Sequence, residues 1–359
     1  MKRMNKLVTP GMMSIGLILI SFVIMGQSCQ KETEKDLWKA SAHADNASMA
    51  FRDWDEATPP EVPVTCARCH TTAGFQDYIG ADGSKAGSVE TPVPASASQG
   101  ITCNVCHMDE NGGTPREITS VTFPSGKTIS TTASGEGICM TCHQGRESTV
   151  SVNKALTGIT DDNSTSRISF RNIHYFAAAA TLYGTDAQGG YEYTGITYKG
   201  QNKHTADYNT CIKCHNPHSL KPAEVAVCSK CHAGVTDTKD IRMSSEDFDG
   251  DGNADEGIYY EIQGLQEQLY AKIQTYAKNV CGTAIAYDAA AYPYFFIDAN
   301  GNGTVDTDET SKYNAFSPRL AKAAYNYQVS IKDPGAYVHN GVYVCQLLKA
   351  SLDDINAGL

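Results

Sequence analysis

Positive charge is scarce in this sequence. It has 29 Lys and Arg residues against 40 Asp and Glu residues in 359 positions, for a formal net charge of −11. That balance argues against nucleic acid or an acidic membrane face as a partner. Charged residues make up only 19% of the chain and hydrophobic residues 41%, so the composition is that of a globular rather than a disordered protein.

A long hydrophobic run is also missing. The apolar stretch at 11–26 is shorter than the roughly 20 residues that a membrane-spanning helix needs, and basic residues precede it. The pattern predicts a cleaved signal peptide over 1–28, with an uncleaved anchor as the alternative. Cys29 then stands where a lipoprotein signal has its lipidated cysteine. We predict an exported protein of the periplasm, outer membrane or cell surface, which contacts membrane only through a lipid on Cys29.

Cysteine, by contrast, is abundant, with 13 residues. Ten of them form five Cys-x-x-Cys-His units, the signature of covalent c-type haem attachment. Each thiol would add to one haem vinyl group, and the histidine that follows would bind the iron from the proximal side. The units are Cys66, Cys69 and His70; Cys103, Cys106 and His107; Cys139, Cys142 and His143; Cys211, Cys214 and His215; and Cys228, Cys231 and His232.

A zinc site or a redox dithiol is the alternative for any single Cys-x-x-Cys pair. Neither needs a histidine directly after every second cysteine, and all five units have one. The export signal also directs the chain out of the cytoplasm, where c-type haem is attached. We therefore predict five covalently bound c-type haems as cofactors.

Five further histidines are available as distal ligands, which predicts bis-histidine ligation throughout. Methionine competes poorly, because Met140 lies inside a haem motif and Met108 directly follows one. An ordinary packed or surface position is the alternative for each spare histidine. That alternative weighs most for His204, in a polar loop, and for His339, in the last predicted helix. The five candidates are His43, His174, His204, His218 and His339.

Regular structure is expected to be sparse at 66–245. Loops rich in Gly, Ser, Pro and Asp separate the motifs, and the porphyrins would replace much of an ordinary apolar core. The elements predicted in and before this region are helices at 36–54 and 172–183, which hold His43 and His174, and hairpins at 118–131 and 191–198.

From residue 246 onward the sequence predicts helices. Apolar residues trace one helix face at 258–276 and again at 338–355, and both faces are predicted to be core. Ser317-Pro318 and Asp333-Pro334 each have the form of an N-cap followed by proline. The predicted fold class is mainly α with much irregular structure and small β-hairpins. The predicted segments are a signal peptide at 1–28, a pentahaem domain at 29–245 and a helical domain at 246–359.

Two acidic segments of the helical part have the pattern of EF-hand calcium loops, and an acidic turn without metal is the alternative for both. The better match has Gly at its sixth position and Glu309 at its twelfth. The other has Ile258 at its twelfth position, so Glu256 or Glu261 would have to compensate. The candidate calcium ligands are Asp298, Asn300, Asn302, Thr304, Asp306 and Glu309 in the better match, and Asp247, Asp249, Asp251, Asn253 and Asp255 in the other.

The last two cysteines, Cys281 and Cys345, lie outside every haem motif. An oxidising compartment permits a disulfide between them. Two buried free thiols are the alternative, and the sequence leaves both open.

Several stretches resemble a family of secreted bacterial multihaem c-type cytochromes, and the resemblance covers nearly all of the mature chain. It implies that His43, His174, His218 and His339 are distal haem ligands, and that the protein transfers electrons in the periplasm or at the cell surface. The stretches are Trp38-Lys-Ala-Ser-Ala-His43-Ala, Met140-Thr-Cys-His-Gln-Gly-Arg-Glu, Asn172-Ile-His174-Tyr, Cys214-His-Asn-Pro-His218-Ser and the segment at 322–340.

The main functional hypothesis is an electron carrier rather than an enzyme. Its partners would be redox proteins, other multihaem cytochromes or an extracellular electron acceptor. The alternative is a reductase of nitrite, hydroxylamine or a sulfur oxyanion, which needs one iron with an open distal position. Pentahaem nitrite reductases also bind calcium, but their active haem characteristically uses Cys-x-x-Cys-Lys, and all five units here end in histidine. A structural subunit of a cytochrome assembly is a third hypothesis, which nothing in the sequence tests.

Overall fold

The computed structural model describes residues 32–109, 113–131, 135–159, 162, 168–242 and 244–359. The predicted signal peptide at 1–28 and Cys29 lie outside these ranges. From Glu34 to Leu359 the described residues form one unit. Within the described ranges, none of the helices has both the length and the apolar character that crossing a membrane requires.

Helices dominate the described structure, and the strands form only two-stranded antiparallel sheets, so the predicted fold class is confirmed. The helices are α1 (Glu34–Lys39), α2 (Met49–Arg52), α3 (Val64–His70), α4 (Thr72–Tyr78), α5 (Cys103–Cys106), α6 (Glu136–His143), α7 (Thr149–Ala155), α8 (Ala178–Tyr183), α9 (Cys211–Cys214), α10 (Val225–Cys228), α11 (Ile258–Asn279), α12 (Pro318–Lys332) and α13 (Ala336–Asn356). The strands are β1 (Glu61–Val62), β2 (Val93–Pro94), β3 (Ser120–Thr122), β4 (Thr128–Ser130), β5 (Ile285–Tyr287) and β6 (Phe295–Ile297), paired in sequence order.

The hairpin predicted at 118–131 is confirmed as β3 and β4. Ser120 lies opposite Ser130 and Thr122 opposite Thr128. The hydroxyls of these two threonines are 2.9 Å apart across the sheet. Gly126 provides the positive φ of 86° that the turn between the strands needs.

The other hairpin, predicted at 191–198, is wrong. The segment contains a turn but no strand. Asn326 of α12 takes the place of a partner strand: its Oδ1 accepts from the Tyr191 N–H at 2.7 Å, and its Nδ2 donates to the Tyr191 carbonyl at 2.9 Å. A buried amide side chain thus satisfies the backbone groups that a ladder would have used.

The helix predicted at 36–54 is also wrong, because the chain leaves the helix after Lys39 and resumes only at Met49. Side chains between these points bind the backbone locally. Asp45 Oδ1 accepts from the Ala47 N–H at 3.2 Å, and Ser48 Oγ accepts from the Ala50 N–H at 3.4 Å. Such Asx and Ser bonds compete with continuous helix.

The helix predicted at 172–183 is confirmed only from Ala178 onward. Asn172 Oδ1 accepts from the His174 N–H at 2.9 Å, and His174 has a φ of 79°. A residue in this left-handed region cannot continue a right-handed helix. His174 therefore lies on an irregular loop.

Three long helices, α11, α12 and α13, pack against one another and supply most of the core. The helix predicted at 258–276 is confirmed as α11, with Leu265, Leu269 and Ile273 fully buried. One hydrophobic cluster runs from Val121 to Ile355 across position 245. The domain boundary at that position remains a prediction.

The two predicted N-caps turned out differently. Ser317 accepts from the Leu320 N–H at 3.3 Å, and Pro318 begins α12 as predicted. The second cap is wrong, because α13 begins at Ala336 after Gly335. The Asp333 carboxylate binds His339 as well as the Gly335 N–H. The predicted stripe of α13 is buried from Cys345 onward, but Val338 at its start is 51% exposed.

Candidate haem-binding sites

Each Cys-x-x-Cys pair lies on one turn of helix or helix-like backbone, which places its two thiols on the same side. In three units the histidine N–H donates to the carbonyl of the first cysteine: His107 at 2.8 Å, His215 at 2.8 Å and His232 at 2.9 Å. In the other two, the histidine is the last residue of α3 or α6. Two thiols and one imidazole therefore leave the same turn, as attachment of a c-type haem requires.

All ten histidines form five pairs, each of one motif histidine and one spare histidine. The ring centroids within the pairs are 5.8 to 6.3 Å apart. Imidazoles that bind one metal ion from opposite sides, with metal–nitrogen bonds of about 2 Å, have centroids roughly 6 Å apart. The pairs are His70 with His174, His107 with His218, His143 with His43, His215 with His339, and His232 with His204.

The second ring nitrogen of the motif histidines is in most cases already engaged. Nδ1 faces a backbone carbonyl in four of them: His70 to Ala50 at 2.6 Å, His107 to Gly113 at 3.2 Å, His143 to Phe176 at 2.8 Å and His215 to Leu220 at 3.2 Å. Such a bond fixes the tautomer that protonates Nδ1 and leaves Nε2 for a metal. The residues present therefore fit haem iron.

Two spare histidines are neutral at physiological pH because of their surroundings. Burial, and after it the nearby His143, lowers the pKa of His43 to about 4. Burial, and after it His70, lowers the pKa of His174 to about 4. An unprotonated imidazole has the lone pair that metal binding needs.

Hydrogen bonds that do not involve the imidazole rings hold the segments with His43 and His174 in place. The His43 carbonyl accepts from the Ile101 N–H at 2.9 Å, and Trp38 Nε1 donates to the Ile101 carbonyl at 3.1 Å. The loop that holds His174 is tied to the third motif, since the Arg146 N–H donates to the Ile173 carbonyl at 3.0 Å. These contacts bring His43 and His174 close to motifs that are far from them in sequence.

The second and fourth motifs share a local structure that sequence reasoning missed. After each histidine the chain turns back and bridges to it at a proline, Pro115 for His107 and Pro222 for His215. The returning loop supplies the carbonyl that accepts from Nδ1, from Gly113 or from Leu220. The proline a few residues after each motif was the available signal.

Thiols of different motifs lie close enough to influence one another: Cys142 lowers the pKa of the Cys69 thiol, and Cys211 lowers the pKa of the Cys139 thiol. Helix α6 accordingly contacts both α3 and α9. The third motif therefore lies between the first and the fourth.

A backbone link joins three of the histidine pairs. The Phe176 carbonyl accepts from His143, and the Phe176 N–H donates to the Lys332 carbonyl at 2.8 Å. His174 lies two residues before Phe176, and Asp333, which binds His339, directly follows Lys332. The contact between the segments at 174–176 and 332–333 thus positions candidate ligands of the first, third and fourth haems.

His339 differs from the other spare histidines in having a carboxylate partner. Its Nδ1 lies 2.8 Å from Asp333 Oδ2 and 3.0 Å from Oδ1. Burial acts to lower the pKa of His339, but the Asp333 carboxylate outweighs it and the pKa is raised. The backbone is non-helical at Asn340, immediately after His339 (φ −167°, ψ 68°).

In the better calcium candidate, the carboxylates at the first and twelfth positions both bind backbone N–H groups of the loop. Asp298 accepts from the N–H groups of Gly301 at 2.6 Å and Gly303 at 2.8 Å. Glu309 reaches back to the N–H groups of Ala299 at 2.7 Å and Asp306 at 3.1 Å. The first and twelfth positions thus point into one loop.

The weaker candidate gathers carboxylates into clusters. Asp247, Asp249 and Glu261 offer oxygens within 4.8 Å of one another. Glu261 is fully buried, and its Oε1 lies 2.6 Å from Arg242 Nη1. A cation there would compete with this guanidinium.

Cys281 and Cys345 are both buried free thiols. Of the two alternatives that the sequence left open, the structure has the free thiols.

A mainly α fold with five Cys-x-x-Cys-His units, each with its histidine facing a second one, defines the class. That class is the multihaem c-type cytochromes, and the chain is similar to proteins that carry this name. No family model matches it.

Two similar proteins from Geobacter sulfurreducens are named C-type polyheme cytochromes. OmcB is 27% identical, over 82% of this chain and 44% of its own length. OmcC is 27% identical, over 90% of this chain and 46% of its own length. The chain spans less than half the length of these relatives. Among solved structures, the crystal structure of the outer cell wall cytochrome OcwA covers 90% of this chain and 50% of its own, with 16% identity and a TM-score of 0.45.

Proposed function

We propose that the chain carries electrons through five covalently attached haems, each held between a motif histidine and the spare histidine paired with it. The observation that carries the proposal is the one-to-one pairing of all ten histidines at 5.8 to 6.3 Å. A pairing that uses every histidine once favours closed, six-coordinate iron. When bound, haem supplies one-electron redox chemistry.

The proposed distal ligands follow from the pairing. In chain order of the motifs they are His174, His218, His43, His339 and His204. The thioether cysteines are the ten motif cysteines named above. For His339 and His204, where the residues alone left ligand and ordinary histidine open, the facing motif histidine favours the ligand role.

The contacts between motifs support a route for electrons. Helix α6, which holds the third motif, contacts α3 of the first motif and α9 of the fourth, so these attachment points lie close together. Their proximity would bring cofactor edges close together, which rapid transfer requires. We propose that the third haem joins the first to the fourth, and that the fifth follows the fourth, whose motif is nearest to it in sequence.

Export and partners complete the proposal. We propose that residues 1–28 are a signal peptide, that Cys29 is lipidated, and that 29–245 and 246–359 are the haem and helical domains. Electrons would pass to and from other redox proteins in the periplasm or at the cell surface, or to an extracellular acceptor. The names of the polyheme relatives support electron transfer as the activity.

The test is a haem count by pyridine haemochrome together with EPR of the purified holoprotein, with and without carbon monoxide and nitrite. We expect five haems, all low-spin, and no uptake of either ligand. One high-spin iron that binds carbon monoxide or nitrite would contradict closed ligation and bring the reductase hypothesis forward.

A variant tests the pairing itself. His174→Ala should turn one of the five irons high-spin and let it bind carbon monoxide, because the first haem loses its distal ligand. Tyr175→Phe is the matched control at the next position and should keep five low-spin irons. An unchanged spectrum in His174→Ala would show that the pairing is wrong.

We also propose that calcium binds and stabilises one loop of the helical region. Its ligands would be Asp298, Asn300, Asn302, Thr304, Asp306 and Glu309. The convergence of Asp298 and Glu309 on one loop supports it. Saturation at 100 times the dissociation constant would stabilise the fold by about 2.7 kcal/mol.

Calorimetric titration of the chelator-treated holoprotein with calcium tests this, followed by thermal unfolding. We expect binding and a higher unfolding temperature in the wild type, and loss of most of both in Glu309→Gln. Asp308→Asn, at an exposed position next to the ligand, is the control and should behave as wild type. Equal calcium response in Glu309→Gln would overturn the site. The segment with Asp247, Asp249, Asp251, Asn253 and Asp255 is a weaker proposal, in which Glu261 would supply the missing ligand.

A further inference from the structure

A buried carboxylate lies against one of the ten histidines. Asp333 is 3% exposed, and both its oxygens lie within 3.0 Å of Nδ1 of His339. The geometry is that of an imidazole N–H donated to a carboxylate, and the Nε2 atom remains available on the other side of the ring.

The other nine histidines differ from His339 in this respect. Four of them donate Nδ1 to backbone carbonyls, which carry no net charge. Across the described ranges, the ring nitrogens of the remaining five make no hydrogen bond with a carboxylate: His43, His174, His204, His218 and His232.

Besides His339, the hydrogen-bond donor to the Asp333 carboxylate among the described residues is neutral: the Gly335 N–H at 3.1 Å. The adjacent Lys332 points elsewhere, since its Nζ donates to the Ala289 carbonyl at 2.6 Å and lies 3.5 Å from the Tyr175 ring centroid. In the described part of the chain no Lys or Arg forms an ion pair with Asp333.

A carboxylate that accepts the imidazole N–H raises the basicity of the ligating nitrogen. A more basic ligand favours the oxidised, more positive iron, and a nearby negative charge in a poorly polarisable interior acts in the same direction. Both effects lower a reduction potential.

We propose that Asp333 lowers the reduction potential of the haem held by His215 and His339 until it is the lowest of the five. The inference rests on the proposed function, because it takes His339 as a ligand. Since α6 of the third motif contacts α9 of the fourth, an electron that arrives through the third motif would meet an uphill step at this point of the route. Asp333 is thus a positioning and tuning residue that acts through His339.

The experiment compares wild type, Asp333→Asn and Asp333→Glu as full-length holoproteins, by spectroelectrochemical titration and EPR. Asn keeps an acceptor for Nδ1–H but removes the charge, and Glu keeps the charge. Asp207→Asn is the control, because it removes an exposed charge four residues before Cys211 without touching a ligand. The haem count and spin state of every variant are measured first.

We expect the lowest of the five midpoint potentials to rise in Asp333→Asn while the other four stay in place, and one low-spin EPR signal to shift with it. Asp333→Glu should stay nearer to wild type, and Asp207→Asn should produce a smaller change spread over several haems. Five unchanged potentials in Asp333→Asn, with five low-spin haems, would overturn this inference and leave the electron-carrier proposal intact. A rise in any potential other than the lowest would overturn it too. A wild type without five low-spin haems would instead be a failure of the proposed function.

Discussion

The motif-bearing region and the C-terminal region are built from helices of very different length. Helices α3 to α10 have four to eight residues each, whereas α11, α12 and α13 have 22, 15 and 21. Helices shorter than about 12 residues are marginal on their own. The motif region therefore depends on something other than its own helices, and the five proposed haems are the obvious support. The C-terminal region depends on side-chain packing.

The largest expected effect comes from preventing haem attachment. Full-length protein with all ten motif cysteines changed to serine should lose hydrogen-exchange protection in α3 to α10 and keep it at Leu265 and Leu269 in α11. The reason is that these α11 positions are buried among the long helices, whereas the motif helices would lose their cofactors. Mass-spectrometric hydrogen exchange against the holoprotein measures it. Equal hydrogen-exchange protection of the motif helices in both forms would show that these helices do not depend on haem.

The next effect concerns the packed region. Leu348→Ala should lower the free energy of unfolding by about 2 to 5 kcal/mol, because a fully buried leucine leaves a cavity. The haem spectrum should not change, because Leu348 is neither in a haem motif nor a proposed haem ligand. Denaturant unfolding and EPR of the same sample check both statements. A shifted EPR signal would show that the two regions are less separate than proposed.

A smaller effect is expected at the start of α12. Ser317→Ala removes the side chain that accepts from the Leu320 N–H, and should cost about 1 kcal/mol. Ser317→Thr keeps the hydroxyl and should recover most of the stability. Equal losses in the two variants would assign the effect to packing of the buried side chain instead of the cap.

The smallest effect on stability is expected at an exposed ion pair on α13. Lys349 Nζ lies 2.6 Å from Asp353 Oδ1, with the two side chains 50% and 62% exposed. An exposed pair at this spacing stabilises a helix by about 0.3 to 0.5 kcal/mol, so Lys349→Ala should change stability by no more than that. High salt should reduce the difference between the variant and wild type. A loss in the free energy of unfolding comparable to that of Leu348→Ala would contradict the small contribution expected of an exposed ion pair.

The features that could be predicted from the sequence are those encoded by local patterns of residues. Five attachment motifs follow from residue spacing, and α11 follows from the 3.6-residue apolar period. The Ser317 cap follows from serine before proline. Each of these features is specified within a few turns of chain, so no knowledge of distant contacts was needed.

The sequence could not predict what depends on distant contacts. Nothing near His43 indicates that its ring faces His143, and nothing near His174 indicates His70. The predicted helices around both failed because Asp45, Ser48 and Asn172 bind nearby backbone. The Asp333-Pro334 pattern predicts a helix cap, whereas the contact of Asp333 with His339 depends on the three-dimensional fold.

The interleaving of the histidine pairs has a consequence for how such a chain matures. In the proposed export the polypeptide would emerge from its N-terminus, so the proposed first haem would receive His70 long before His174 arrives. The second would wait for His218, and the fourth for His339 in the final helix. His43 and His204 precede the motifs that they would serve. Three of the five haems would therefore hold iron with one side exposed until the distal histidine emerged, and α13 would close the fourth haem.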